Sequence, residues 1–250
     1  MNSILGIAFR EYRIRLTNPI LPLWDVVVPV VYLVVFGASV ENWIGLQTTG
    51  FDYPTFFLGG VLSMVTFSIA MNCSYAFFED LQSGIFYELL TYPFARRDLL
   101  LGKLLFNALF GLVGAMACVA AGVSILHIHV LPARLPGLAI AIVLGTSGWY
   151  FLFSWMALKV RGFNAYHTTT SSMYLVLMFV SNLFYPADRL PGWLRWAARA
   201  NPITWETDLL RYFTYGAGDL HSLRLQGAGF VLFILLCFWL ANRILNQPME

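Results

Sequence analysis

Few side chains in this sequence are arranged to do chemistry by themselves. Its four histidines, His127, His129, His167 and His221, are scattered along the chain. His127 and His129 alone make a His-x-His, which reads more simply as an interfacial polar pair than as a metal site. No paired carboxylates and no Ser-His-Asp set can be assembled from the spacing. A phosphate-binding loop of the form G-x-x-x-x-G-K-[ST] is absent, because Gly102-Lys103 is followed by Leu104 and lacks the earlier glycine. The chain therefore has no nucleotide site of that kind, and its residues predict neither metal ligation nor a cofactor of its own. What remains is a set of small polar side chains in otherwise apolar runs. Ser63, Thr66, Ser68, Asn72 and Ser74 form one group. His167 to Ser172, with Thr169 among them, and Ser181 and Asn182 form another. In lipid such groups gain nothing, so they turn toward protein or toward a wet route. Ser63, Thr66, Asn72, Thr169, Ser172 and Asn182 are the candidate lining of such a route.

The elements that must carry these residues are membrane helices. The chain has 250 residues, 59% hydrophobic and only 11% charged, with net charge +2. A soluble domain is about a quarter charged. Mean hydropathy is +0.70. So small a positive charge argues against nucleic acid as a partner. Cys73, Cys118 and Cys237 all sit in apolar runs, which argues against a disulfide framework.

A spanning helix needs about 20 apolar residues. The charge-free stretches predict six spans, at 22–40, 54–77, 105–128, 136–158, 166–186 and 225–242. With the N-terminus inside, the inner segments hold nine Lys and Arg and the outer segments six, five of those in 187–224. This predicts both termini on the cytoplasmic side. Ile4 to Phe9 is too short an apolar run for a secretory signal. Asp25 stands near the inner end of span one, either as a functional acid or as a partner for Arg15.

Three further segments are not spans. Residues 1–20 read as an amphipathic interfacial helix, ended by Asn18-Pro19 and Pro22. The inside segment 79–103 predicts a short helix striped by Leu81, Ile85, Leu89 and Leu90, stopped by Pro93, with a second helix restarting at Asp98. Glu88, Arg96 and Arg97 would rim this apolar stripe, which suits a partner's cleft or the headgroup layer. The outside segment 187–215 predicts two short helices. Pro191 starts the first, Asn201-Pro202 ends it, and Trp193 and Trp196 sit at interface depth as a hairpin dipping into the leaflet would place them.

This order of elements resembles the ABC-2 type permeases, a group that includes drug-resistance, nodulation-factor and O-antigen exporters. The residues that carry the resemblance are Gly84 to Pro93 (GIFYELLTYP) with Leu101-Gly102-Lys103. The second set is Phe184-Tyr185-Pro186, Leu190-Pro191, Asn201-Pro202 and Asp208-Leu209-Leu210-Arg211. The resemblance implies an all-α membrane protein of six transmembrane helices in a single domain. It would have an N-terminal interfacial helix, a cytoplasmic coupling helix within 79–103 and an external re-entrant hairpin before the last span. It also implies a bacterial inner-membrane exporter subunit that works as a dimer of permeases with two ATPase subunits. ATP and Mg would be bound by those ATPases, and Glu88, Leu89, Leu90, Arg96 and Arg97 would couple to them. The low interior charge suits an amphipathic or lipid-linked cargo, such as a drug, lipid or glycan. The alternative is a membrane-embedded enzyme acting on lipid-linked substrates, which would need a cluster of polar residues at one interface. A purely structural membrane subunit is a third reading.

Overall fold

The computed structural model describes residues 3–17, 20–44, 51–89, 91–92 and 95–247. Among them, the regular structure is entirely helical. In chain order the helices are α1 (Ser3–Thr17), α2 (Ile20–Ile44), α3 (Tyr53–Gln82), α4 (Ile85–Leu89), α5 (Arg96–Ile125), α6 (Leu135–Lys159), α7 (Phe163–Phe179), α8 (Gly192–Ala200), α9 (Pro202–Tyr215) and α10 (Leu220–Leu245).

Helix α3 is the centre. It is apolar nearly all round and buried along most of its length, as expected for a helix enclosed by others. α2, α5, α6 and α9 pack around it, and α10 packs on α6 and α9. A layer of rings fills the middle, where Phe67 meets Trp149, Phe153 and Tyr174 with centroids 4.7–5.0 Å apart. Outward-facing positions of α10 are apolar instead: Leu225, Leu232, Leu235, Leu236 and Trp239 are all more than half exposed, as lipid-facing side chains would be.

Among the described residues, four helices are long and apolar enough to cross a membrane: Tyr53–Gln82, Arg96–Ile125, Pro132–Lys159 (α6 with the 3-10 turn before it) and Leu220–Leu245. The chain is thus a multi-pass membrane protein. The other two expected spans differ from their forecasts. α2 starts at Ile20, so Pro22 falls in its first turn, where a missing N–H costs nothing. Its apolar part, Leu23–Ser39, is short. α7 ends at Phe179 rather than continuing to 186, and the chain turns through 180–185. At about 1.5 Å per residue, its 17 residues reach roughly 26 Å. Of the six expected spans, four fall on helices of full spanning length among the described residues, and the other two fall on shorter helices.

α1 lies against α5. Gly102 makes this possible: a Cβ there would come within 2.6 Å of Ile7 Cβ and 2.9 Å of Ile4 O. At the opposite end, α8 and α9 are the two short helices predicted within 187–215. Asn201, between them, ties α9 to the end of α7 by three side-chain bonds. Its Oδ1 accepts from Ile203 N at 3.0 Å and caps α9, while Nδ2 donates to Leu177 O and Val180 O at the frayed end of α7.

Candidate functional site

Two buried polar clusters are built along α3, one at its last turn and one on its first half. The first sits where α1 meets α3 and α5. Lys103 Nζ donates to Glu11 Oε1 at 2.7 Å and lies 2.7 Å from Asp80 Oδ2. Arg10 Nη1 and Nη2 grip Asp80 at 3.1 and 3.0 Å, and Nη1 also reaches Glu11 at 3.0 Å. Lys103 is 2% exposed and Glu11 3%. Burial alone would lower the Arg10 pKa, but the Asp80 carboxylate, with Glu11, outweighs it, and the pKa is raised. One turn away, Arg15 donates to Asn107 Oδ1 at 2.8 Å and lies 3.9 Å from Asp25, which in turn accepts from Asn72 Nδ2 at 2.5 Å. Arg15 also stacks near the rings of Phe106 and Phe110. Asp25 therefore sits as the partner of Arg15 and Asn72.

The chain on both sides of α4 is rooted in this cluster, since Asp80 lies in the last turn of α3 and Lys103 in the second turn of α5. α4 is only five residues long, set off by Gly84 at φ 81°. Phe86 anchors it, 1% exposed and 5.9 Å from the Phe77 ring. Leu89 is half-buried against the chain's own core, so it serves the fold before any partner. Ile85 and Glu88 face outward, and Arg97 is exposed. Arg96 is engaged within the chain: Nη1 donates to Leu245 O at 2.8 Å and Gln247 O at 3.1 Å, closing the end of α10. Leu90 lies outside the described residues.

The second cluster docks α9. Glu206, 1% exposed, has Thr66 Oγ1 at 2.5 Å from Oε1 and accepts from Trp149 Nε1 at 2.5 Å on Oε2. Ser63 Oγ meets Thr207 Oγ1 at 2.8 Å. Arg211 Nε donates to Phe56 O at 3.2 Å and Nη2 to Asn182 O and Leu183 O at 3.0 and 3.3 Å. Its guanidinium carbon stands 3.7 Å from the Phe56 ring centroid. Asp208 accepts from Asn182 Nδ2 at 2.6 Å and from Gln226 Nε2 at 3.0 Å. α9 joins the bundle here without being one of its spans. Burial pushes the Glu206 carboxyl up to about 7, against the opposing pull of its bonds to Thr66 and Trp149.

The six candidate route residues are thus divided. Ser63, Thr66 and Asn182 are buried and turned onto α9 within the chain. The physical reason is that hydroxyls in the first half of α3 find donors and acceptors on that helix. Asn72, Thr169 and Ser172 are exposed on the protomer. Between α3 and α7 lies an open groove of about 200 Å³ lined by Met71, Asn72, Tyr75, His167, Thr170 and Ser171. His127 and His129 lie instead at the mouth of a pocket of about 670 Å³ near the start of α3, with Asp52 and Tyr215. Of the hairpin residues, Pro191 caps α8, Asn201 and Pro202 begin α9, and Arg211 is its buried anchor. Glu206 and Lys103 had no assigned role in the sequence reading, although Glu206 shares a helical face with Ile203 and Leu210, and Lys103 with Leu99 and Asn107.

The ABC-2 type transporter family model matches residues 3–215. The chain belongs to the ABC-2 type transporter family. Among its relatives is the daunorubicin resistance ABC transporter permease protein DrrB1 of Streptomyces coeruleorubidus, 24% identical over 220 residues, covering 87% of this chain and 75% of that one. A putative transport permease, ycf38, of Pyropia yezoensis is 22% identical over 213 residues, covering 81% and 73%. Membership makes this chain a transport permease, the membrane subunit of a transporter of a kind that works with ATPase subunits.

Trp193 and Trp196 are 75% and 77% exposed from the rest of the protein. If α8 dips into the leaflet, lipid covers them. Cysteines placed at 193 and 196 are then expected to react slowly with a charged, impermeant thiol reagent in whole cells, and one at Gly218 quickly. Equal rapid reaction at all three would place α8 in water.

Proposed function

We propose that this permease is the transmembrane subunit of an ATP-driven exporter, moving an amphipathic or lipid-linked molecule outward across a bacterial inner membrane. Two copies would pair, each with an ATPase subunit that binds ATP and Mg. The observation that carries this reading is the exposed polar edge of α3 and the first half of α7, where Asn72, His167, Thr169 and Ser172 are exposed on otherwise apolar helices. Hydroxyl, amide and imidazole groups gain nothing from lipid, so a second copy or a wet route should cover them. The buried half of the polar set, Ser63, Thr66 and Asn182, would then hold the wall behind the route. A daunorubicin resistance protein among the relatives fits an amphipathic cargo. α4, small and partly exposed at the end of the bundle bearing α1, is the element placed to receive the ATPase, with Glu88 at its rim.

The test uses the permease with its ATPase in membrane vesicles. Glu88→Lys is expected to abolish transport-coupled ATP hydrolysis while the chain stays inserted. Ser172→Trp is expected to block export while the two subunits still co-purify. Normal coupling in the first variant, or normal export in the second, would count against the reading.

A further inference from the structure

Glu206 is a buried acid with no cation beside it, and the transport reading makes no use of it. The hydrogens around it can be counted. Thr66 Oγ1 lies 2.9 Å from Ser63 O and 2.5 Å from Glu206 Oε1. A backbone carbonyl only accepts, and a hydroxyl has one proton to give. If Thr66 gives that proton to Ser63 O, the contact with Glu206 needs a proton from the carboxyl. Trp149 Nε1 can only donate, and it occupies the other oxygen. The neighbouring pair closes the same way: Thr207 Oγ1 donates to Ile203 O at 2.7 Å, so Ser63 Oγ donates to Thr207. With Glu206 neutral, every proton in the chain has one acceptor, running from Trp149 to Oε2, from Oε1 to Thr66, and from Thr66 to Ser63 O. With Glu206 ionised, Thr66 must serve two acceptors with one proton, and a full charge sits in an apolar site without a counter-ion.

We infer that Glu206 is a proton-binding site: it is held as a neutral carboxylic acid, and its proton latches α9 to α3. Gly145 completes the site, since a Cβ there would collide with the Glu206 carboxyl. The titratable and charged groups on the surrounding elements leave it alone. On α9, Asp208 and Arg211 contact each other. On α6, the Tyr150 hydroxyl is set among Ser154 and Cys73. On α3, Tyr53 Oη donates to Phe184 O; Cys73, Tyr75, Glu79 and Asp80 lie at least two turns beyond Thr66. On α10, Gln226 bonds Asp208, His221 and Arg224 are exposed, and Cys237 and Arg243 lie nearer the other end. Burial and two hydrogen bonds are the influences felt by the carboxyl.

The sign of the pH effect follows. The docked acid holds its proton more tightly than the same acid in water, about 7 against 4.5. The docked state therefore carries more protons between those values, and docking weakens as pH rises through that window and levels off above it. Between pH 6 and pH 8 the opening of α9 should increase about tenfold.

The experiment is amide hydrogen exchange by mass spectrometry on the full chain in lipid nanodiscs, following α9 peptides and correcting for the intrinsic pH dependence of exchange. The wild type is expected to show the tenfold rise. Glu206→Gln, whose amide donates to Thr66 as the neutral acid does, is expected to stay docked with no rise. Infrared spectra of the wild type at pH 6 should contain a protonated-carboxyl C=O band that fades by pH 9 and is missing from Glu206→Gln. Equal α9 exchange at pH 6 and pH 8 in the wild type, no such band, or a pH slope that survives in Glu206→Gln would overturn the inference. Should the glutamine variant fail to fold, the two wild-type measurements decide.

Discussion

Lys103→Met is expected to destabilise the permease more than nearly any other single change at the α1 end. Methionine keeps the length and apolar stem but withdraws the ammonium from Glu11 and Asp80. Breaking a buried ion pair by removing one partner costs about 3–5 kcal/mol, because the other charges stay buried. Arg10 still reaches both carboxylates at 3.0 Å, which puts the expectation near the lower figure. The measurement is the free energy of unfolding in mixed micelles. A triple variant, Lys103→Met with Glu11→Gln and Asp80→Asn, separates pairing from packing. It removes all the buried charge together, and replacing a whole buried network is often neutral. The triple variant should recover most of the loss. A Lys103→Met protein as stable as the wild type would show the network to be idle.

The site of this effect was half legible in the sequence. Gly102-Lys103 stood out as part of a recurring pattern, and charge counting placed Lys103 at a span boundary. Its burial could have been read from α5 itself, where Leu99, Lys103, Asn107, Gly111, Gly114 and Cys118 recur at helical spacing and are all buried. What the spacing could not show is that α1, 92 residues away along the chain, supplies the counter-charge. Nor could the amphipathic pattern of α1 show that Arg10 turns inward onto Asp80.

The same limit explains the polar faces of α3 and α7. Composition identified both helices as the polar ones. It did not say which partner each hydroxyl meets, because that depends on where α9 folds back. The turn at 180–185 decides it. A run of apolar and small residues predicted a span to 186, yet Asn201 and Arg211 supply bonds to carbonyls at 177, 180, 182 and 183, which makes an early end to α7 affordable in an apolar setting. α4 was legible as a helix but not as one held by Phe86, since the leucine stripe drew attention to the neighbouring residues.

Arg211→Leu is expected to release that turn. The guanidinium is 4% exposed and serves three backbone carbonyls on two elements, with Asp208 at 3.4 Å as a fourth contact. Leucine fills part of the volume and supplies no donor. Phe56 O is in the first turns of α3 and keeps a helical partner, but Asn182 O and Leu183 O belong to non-helical backbone. Each buried acceptor left unmade costs about 1–3 kcal/mol, which puts the sum for these two at roughly 2–6 kcal/mol. Arg211→Lys should fall between leucine and wild type. An ammonium keeps the charge beside Asp208 but cannot present the planar fork that spans Phe56 O on one side and Asn182 O on the other. Unfolding free energies of the three proteins should therefore rank Arg, Lys, Leu. Hydrogen exchange should quicken first in 181–185 and in the N-terminal turns of α9, while α1 and α5 stay protected. A lysine variant equal to arginine would mean that charge alone holds the hairpin. A leucine variant with unchanged exchange at 181–185 would mean that the turn finds its donors elsewhere. The ranking bears on function, because Arg211 and Glu206 hold α9 from adjacent turns of one helix by opposite means: one is a charge satisfied by carbonyls, the other an acid satisfied by its own proton. The acid's hold changes with pH in the neutral range. Hairpin release should therefore be graded by pH in the wild type and be nearly complete at every pH in Arg211→Leu.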